Sequence, residues 1–292
     1  MNQQVIELAY LGFEVRNIDA WDELLRSQIG LQRNRDRNHD GTIGYRADGN
    51  VQRVFIAEGD ADDICAYGLA ARTKRDFEAI VERLEVNDVP FKVLSDEATR
   101  SRHAERVIRF QDPFGMWVEL AHGMEATPIP FYSEQAPEGF VTGSLGLGHI
   151  LVLVPDMHRA LNFYCHILGF SVSDTGRGPW EPAPSVDVTF LWSTPRHHSL
   201  ALAHVPGAAR HLGHFFLNLT SVDAVGRAHT RAKQGGVLIA HGLGRHTDGV
   251  FSFYGVTPSG FEYELGTDGY LVDESWTSRL LTSYTDWGHR PE

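Results

Sequence analysis

The chain has 292 residues, 42% of them apolar and 22% charged, and a formal net charge of −12. That is enough apolar material for one large core or two ordinary ones, and the negative balance weighs against a nucleic-acid or anionic membrane surface as partner. No apolar run approaches the roughly 18 residues that span a bilayer, and the opening MNQQVIELAY lacks a basic segment followed by an apolar one, so a soluble, cytoplasmic protein is expected.

In chain order, short strand-like runs alternate with amphipathic helices, and the same order recurs four times. VIELAYLGFEV leads into IDAWDELLRSQIGL, a helix with Asp19 as N-cap and Gly30 as stop. AYGLAARTKRDFEAIVERL follows, with Thr73 as cap and Asp76 three residues on. DPFGMWVEL closes the first half. After the proline-containing stretch GMEATPIPFYSEQAPEGF the pattern restarts: LGHILVLV, then DMHRALNFYCHILGF with Asp156 as cap and Gly169 as stop. LGHFFLNLTSVDAVGRAHTRA carries Thr220 and Asp223 at the cap spacing, and TPSGFEYEL closes the second half. The reading is an α+β chain of four βαβββ modules forming two barrel-like domains, residues 1–123 and 143–292, joined by a linker at 124–142.

The repeat supports an internal comparison. Tyr10 stands 20 residues before Gly30 and His149 stands 20 before Gly169, pairing Tyr10 with His149. The caps pair Tyr67 with His214, and the x-Pro-x-Gly echoes pair Glu119 with Glu264. The first half thus reads Tyr, Tyr, Glu where the second reads His149, His214, Glu264. Two histidines and a carboxylate are the ligands of a facial triad, which binds a non-haem metal on one side and leaves the other positions open for substrate and O₂. The first half lacks the set and is expected to be metal-free. Two cysteines, Cys65 and Cys165, suggest neither a disulfide framework nor a thiolate zinc site. The glycines at 143–148 lack the G-x-G-x-x-G spacing of a dinucleotide loop.

GRHTDGVFSFYGVTPSGFEYE at 244–264, with GLGH and RHHSLAL, resembles the signature of the extradiol ring-cleavage dioxygenases of the vicinal-oxygen-chelate type, and the resemblance spans essentially the whole chain. It implies Fe(II), in preference to Mn(II), held by His149, His214 and Glu264. It also implies His198 as acid/base beside the O₂ position, and His246 and Tyr254 hydrogen-bonding a bound catecholate. His197 and His198, if on a strand, point to opposite faces, and the family pattern favours His198. Glu262 and Glu264 share a face; the repeat favours Glu264. Asp248 follows His246 where biphenyl-type relatives are expected to have Asn, which bears on substrate specificity. By position, Leu151, Phe190, Ala201 and Val205 should wall an apolar pocket suited to a catechol with a second ring, such as a biphenyl or naphthalene diol. The implied partners are a catechol and O₂, with a homo-oligomer, up to an octamer, expected. Alternatives on the same scaffold are a glyoxalase-like isomerase or lyase, a 2-oxoacid-type dioxygenase, or a metal-free protein that sequesters small molecules. The ten histidines outside the signature, among them His241 and His289, are read as surface or hydrogen-bonded residues.

Overall fold

Period-2 alternation decides which way each strand faces. The computed structural model describes residues 5–180 and 183–292, without the side chains of 180, 183 and 184; residues 1–4, read above for a leader, lie outside it. The first half supplies β1 (Ile6–Val15), α1 (Ile18–Glu23), β2 (Gln32–Arg33), β3 (Ile43–Arg46), β4 (Val54–Glu58), β5 (Asp63–Ala71), α2 (Lys74–Val86), β6 (Phe91–Val93), α3 (Asp96–Ser101), β7 (Arg106–Gln111) and β8 (Trp117–His122). The second supplies β9 (Gly148–Val154), α4 (Met157–Leu161), β10 (Ser171–Trp180), β11 (Ala183–Trp192), β12 (Leu200–His204), β13 (Leu212–Asn218), α5 (Val222–Gln234), β14 (Ile239–His246), β15 (Val250–Val256) and β16 (Glu262–Asp268). Two short strands follow, β17 (Leu280–Leu281) and β18 (Thr285–Trp287).

The expected four βαβββ modules are present, with α3 inserted in the second. Their strands form an eight-stranded sheet, β2-β3-β4-β1-β5-β8-β7-β6, and a ten-stranded sheet, β17-β10-β11-β12-β9-β13-β16-β15-β14-β18, which repeats that order and adds β17 and β18 at its edges. One face of each sheet enters a common core. Leu11, Phe13 and Tyr67 from the first meet Ile150, Val152 and Phe215 from the second, with the Phe13 and Phe215 rings 5.3 Å apart. The alternate residues, Tyr10 in β1 and His149, Leu151 and Leu153 in β9, face the concave sides. No helix among the described residues is long and apolar enough to cross a membrane.

Three local expectations need correction. Asn17, not Asp19, caps α1, its side chain accepting from the Ala20 N–H at 3.0 Å; Asp19 sits inside the first turn, where a carboxylate still complements the helix dipole. The helices expected to run to Gly30 and Gly169 each pass into a π-helical turn first, Leu24–Ile29 and Asn162–Ile167, before those glycines take φ of +97° and +89°. Ser221, not Thr220, caps α5, accepting from the Ala224 N–H at 3.2 Å.

That last shift moves the repeat by one residue. Tyr10 faces Gly68 across β1 and β5, and Gly68 faces Glu119. His149 faces Phe216, and Phe216 faces Glu264. Gly68 is therefore the counterpart of Phe216, and the counterpart of His214 is Ala66 rather than Tyr67. A one-residue slip reverses the face of a strand residue. Tyr67 accordingly turns into the common core, where its hydroxyl meets that of Tyr164 at 3.1 Å.

Candidate metal centre and active site

β9, β13 and β16 are adjacent in the second sheet, and each sends one ligand-type side chain to its concave face. His149 Nε2 lies 3.1 Å from His214 Nε2 and 3.3 Å from Glu264 Oε2, and His214 Nε2 is 3.5 Å from the same oxygen. Ligand atoms ~2.1 Å from one ion at right angles would be about 3 Å apart, so the three converge as a facial set does. Burial keeps the imidazoles neutral, lowering His149 and taking His214 down to about 3. Burial pushes the Glu264 carboxyl up, but the contacts from His149 and His246 outweigh it and hold it well below its ordinary range. Glu264 Oε1 is buried without a well-formed hydrogen bond among the described residues, His246 Nε2 standing 3.4 Å away. Two neutral imidazole nitrogens and a carboxylate directed at one point, one carboxylate oxygen left wanting, fit a divalent cation. The Phe216 ring, stacked on His149 at 4.5 Å, limits rotation of that imidazole.

The remaining expected residues surround this point. His198 lines the cavity, its ring 4.1 Å from that of His149. His246 Nδ1 donates to the Tyr284 carbonyl at 2.8 Å, and its Nε2 meets the Tyr254 hydroxyl at 2.9 Å. Burial lowers His246, but Glu264 outweighs it and the net shift is upward. Burial, with Glu264 nearby, raises the Tyr254 phenol far above its ordinary value, so it remains a hydroxyl that can donate. His197 and His198 lie in the loop between β11 and β12 rather than on a strand. Their division nevertheless follows the expected one: His198 faces the cavity, while His197 lies behind it, bonded to Asp174 at 3.1 Å. Glu264 is at the centre; Glu262 stands two residues away beside His241, at 3.6 Å.

The cavity holds about 220 Å³, and Leu151, Phe190, Ala201, Val205 and Asp248 all line it. Its apolar wall extends further than the sequence reading, through Leu153, Val186, Val188 and Ala203, then Leu281 and Tyr284 of the C-terminal segment. The first four continue strand alternations and could have been found by extending them. The last two could not, because nothing local shows that a terminal segment returns across β10 and β14. His289 is expected to be a surface or hydrogen-bonded histidine. It does bond Ser252, but its ring also stacks on His246 at 4.0 Å.

The equivalent place in the first half is filled. The Tyr10 hydroxyl donates to Glu119 Oε2 at 2.7 Å, and Arg102 donates to both Glu119 oxygens, Nε at 2.8 Å and Nη2 at 3.3 Å. The Tyr10 ring lies over Gly68 so closely that a Cβ there would sit 2.2 Å from it. A guanidinium stands where a cation would otherwise be needed.

A family model described as glyoxalase/bleomycin resistance protein/dioxygenase superfamily matches residues 146–270, and one described as dihydroxybiphenyl dioxygenase BphC D1 matches residues 8–59. A biphenyl-2,3-diol 1,2-dioxygenase of Metapseudomonas furukawaii is 36% identical over 97% of this chain and 93% of its own. A protein of Rhodococcus jostii named iron-dependent extradiol dioxygenase is 32% identical over 97% of this chain and 96% of its own. Among solved structures, a halotolerant catechol dioxygenase superposes with a TM-score of 0.91 at 29% identity, covering 99% of this chain and 95% of that one. The chain therefore belongs to the extradiol dioxygenases of the glyoxalase/bleomycin resistance protein/dioxygenase superfamily.

Proposed function

We propose that this chain cleaves the ring of an apolar, bicyclic catechol beside its diol, using O₂ and Fe(II), in the breakdown of aromatic compounds. The observation that carries the reading is the convergence of His149, His214 and Glu264 at the polar end of a cavity whose far wall, from Leu151 and Leu153 to Val186, Val188 and Ala203, is hydrocarbon. These three would hold the iron. When bound, Fe(II) supplies a chelation point for both catechol oxygens and a route for electron density from the ring to O₂. A ligand set with a single carboxylate leaves the charge balance open to an anionic catecholate.

The chain's own residues do the rest. The pocket holds the second ring and excludes water; its apolar burial is worth roughly 25 cal/mol per Å². Leu151 and Leu153 extend ~13 Å along β9 beyond His149, counting about 3.3 Å per residue, long enough for a ring beyond the diol. His246 and Tyr254 orient the diol by hydrogen bonds. His198 takes a proton as the catechol ionises and returns it later, a task for imidazole. Asp248, lining the pocket where relatives of the biphenyl type are expected to have Asn, tunes which diol is preferred. Iron is preferred to manganese on the strength of the iron-dependent relative. Residues 1–123 act as the metal-free half, residues 143–292 as the catalytic one, in a cytoplasmic homo-oligomer.

The test is anaerobic loading with Fe(II), addition of 2,3-dihydroxybiphenyl, then air. A yellow ring-fission product is expected. No colour with any catechol, iron being bound, overturns the reading.

A further inference from the structure

Behind His198 lies a chain of buried polar contacts that ends on the C-terminal segment. Asp174 on β10 is fully buried. Its Oδ1 accepts the backbone N–H of Arg279 at 2.7 Å, and its Oδ2 accepts Nε and Nη2 of the same residue at 2.9 and 2.6 Å. His197 Nε2 is 3.1 Å from Oδ2, and His197 Nδ1 is 3.0 Å from His198 Nδ1. The Trp276 ring, 5.6 Å away and anchored through its indole N–H to the Ser173 carbonyl, and the Phe190 ring at 5.7 Å box His197 in.

Donor and acceptor counting along this chain has one neutral solution. A carboxylate only accepts, and Arg279 leaves Asp174 no reason to be protonated: burial would raise its carboxyl, but bonds from His197 and Arg279 outweigh that and hold it at about 2. His197 must then donate through Nε2. A neutral His197 has a bare Nδ1, so the 3.0 Å contact needs the proton on His198 Nδ1. Asp248 Oδ2, 3.7 and 3.8 Å from the two Nδ1 atoms, favours a proton in that gap.

We propose that Arg279, Asp174 and His197 are positioning residues that fix the tautomer of His198, leaving its Nε2 unprotonated toward the cavity as the acceptor of a substrate proton. The inference rests on the dioxygenase reading for its role in turnover. In the step it prepares, a catechol O–H bond breaks, the proton forms an N–H bond at His198 Nε2, and the electron pair stays on the substrate oxygen. The His198 imidazolium so formed keeps its Nδ1–H directed at His197. An imidazolium at His197 would reverse the order, donating to His198 Nδ1 and placing the proton on Nε2.

The test reads the tautomer directly, by long-range ¹H–¹⁵N NMR of the histidine-labelled, Zn(II)-loaded protein, with His198 assigned by its loss in His198→Gln. Wild type should show His198 Nε2 bare. Asp174→Asn sets an amide N–H against donors, so His197 should shift its proton to Nδ1 and His198 should become protonated at Nε2. With Fe(II), that variant should lose roughly 10–100-fold in kcat, the range for outer-shell partners, at unchanged iron content. His197→Gln, which can still donate to Asp174 and accept from His198, should keep Nε2 bare and lose less kcat than His197→Phe. A protonated Nε2 in wild type, or a bare one in both Asp174→Asn and His197→Phe, overturns the relay. A bare wild-type Nε2 that shifts in Asp174→Asn, in an iron-loaded protein inert to every catechol, overturns the dioxygenase reading and leaves the tautomer assignment standing.

Discussion

Replacing Arg102 by Met tests whether a guanidinium in the first half does the electrostatic work of a metal in the second. Glu119 is fully buried, and after the change only the Tyr10 hydroxyl would remain at hydrogen-bond distance among the described residues, with Arg109 Nη1 at 3.9 Å. Arg102 also bonds Asp40 at 2.9 Å and stacks over Phe55 at 4.1 Å; Met preserves much of the stem packing but none of the charge. Removing one partner of a buried ion pair costs about 3–5 kcal/mol, because the other charge is stranded. At ~2–4 °C per kcal/mol for a chain of this size, the melting midpoint should fall by roughly 10 °C. Circular dichroism melts of Arg102→Met, Glu119→Gln and the double variant would measure it, with metal content determined alongside. The double variant should melt above Arg102→Met, since it strands no fully buried carboxylate, and all three should retain metal. A fall below ~2 °C for Arg102→Met, or a double variant no better than that single change, would refute the reasoning and mean that Arg109 carries the balance instead.

Three further outcomes follow from the second half. His149→Ala or Glu264→Gln should lose metal beyond the ~10–100-fold typical of an outer-shell change, while Glu119→Gln leaves it unchanged; dialysis and metal analysis decide, and loss in Glu119→Gln would place the centre in the wrong half. Ala203→Phe fills the cavity away from the diol, so kcat/KM for 2,3-dihydroxybiphenyl should drop roughly 5- to 140-fold, the effect of ~1–3 kcal/mol of overpacking, while that for catechol changes little; equal losses would argue against a second-ring site there. Burial and the charge of His246 lower His289 to about 3 from an ordinary 6.5. Its folded form resists the proton that the unfolded chain takes up, so its contribution to stability is complete above pH ~6.5 and is lost as pH falls toward ~3. Melting temperature against pH should therefore decline less steeply over that window in His289→Gln than in wild type, and parallel curves would contradict the assignment.

Much of this site was legible because the chain repeats itself. Tyr10 and His149 share a distance to a left-handed glycine, and that distance survives in the structure even though a π-helical turn precedes each glycine. Glu264 was separable from Glu262 only through its echo in Glu119, and the register bears this out, since Tyr254 faces Glu264 as Arg109 faces Glu119. The failure came where two adjacent hydroxyl residues compete for one cap. Thr220 has the same spacing to Asp223 as Thr73 has to Asp76, but Ser221 makes the bond, and in a strand a slip of one residue exchanged Ala66 for Tyr67. The C-terminal contributions, Leu281, Tyr284 and His289, were beyond sequence reading for another reason. Their positions depend on pairing with strands some 40 to 110 residues earlier, which no local pattern encodes.

The two halves together show what a buried carboxylate at this place in the fold demands. At both Glu119 and Glu264 the register puts a carboxylate on the concave face, beneath neighbouring strands, where an unpaired buried charge is costly. Ala66 in place of His214, and Tyr10 in place of His149, remove two of the proposed metal ligands. A Tyr hydroxyl can bond a carboxylate but cannot balance its charge. The first half must therefore bring a cation of its own, and Arg102, reaching in from the end of α3, supplies one with two bonds to Glu119. Among the described residues the second half has no arginine at that point and instead sets the neutral imidazoles of His149 and His214 beside Glu264, where the proposed function calls for a bound cation. Under the proposed function, the difference between the two halves then reduces to whether the compensating cation is tethered, as Arg102 is by its bonds to Glu119 and Asp40, or exchangeable, as a metal ion would be.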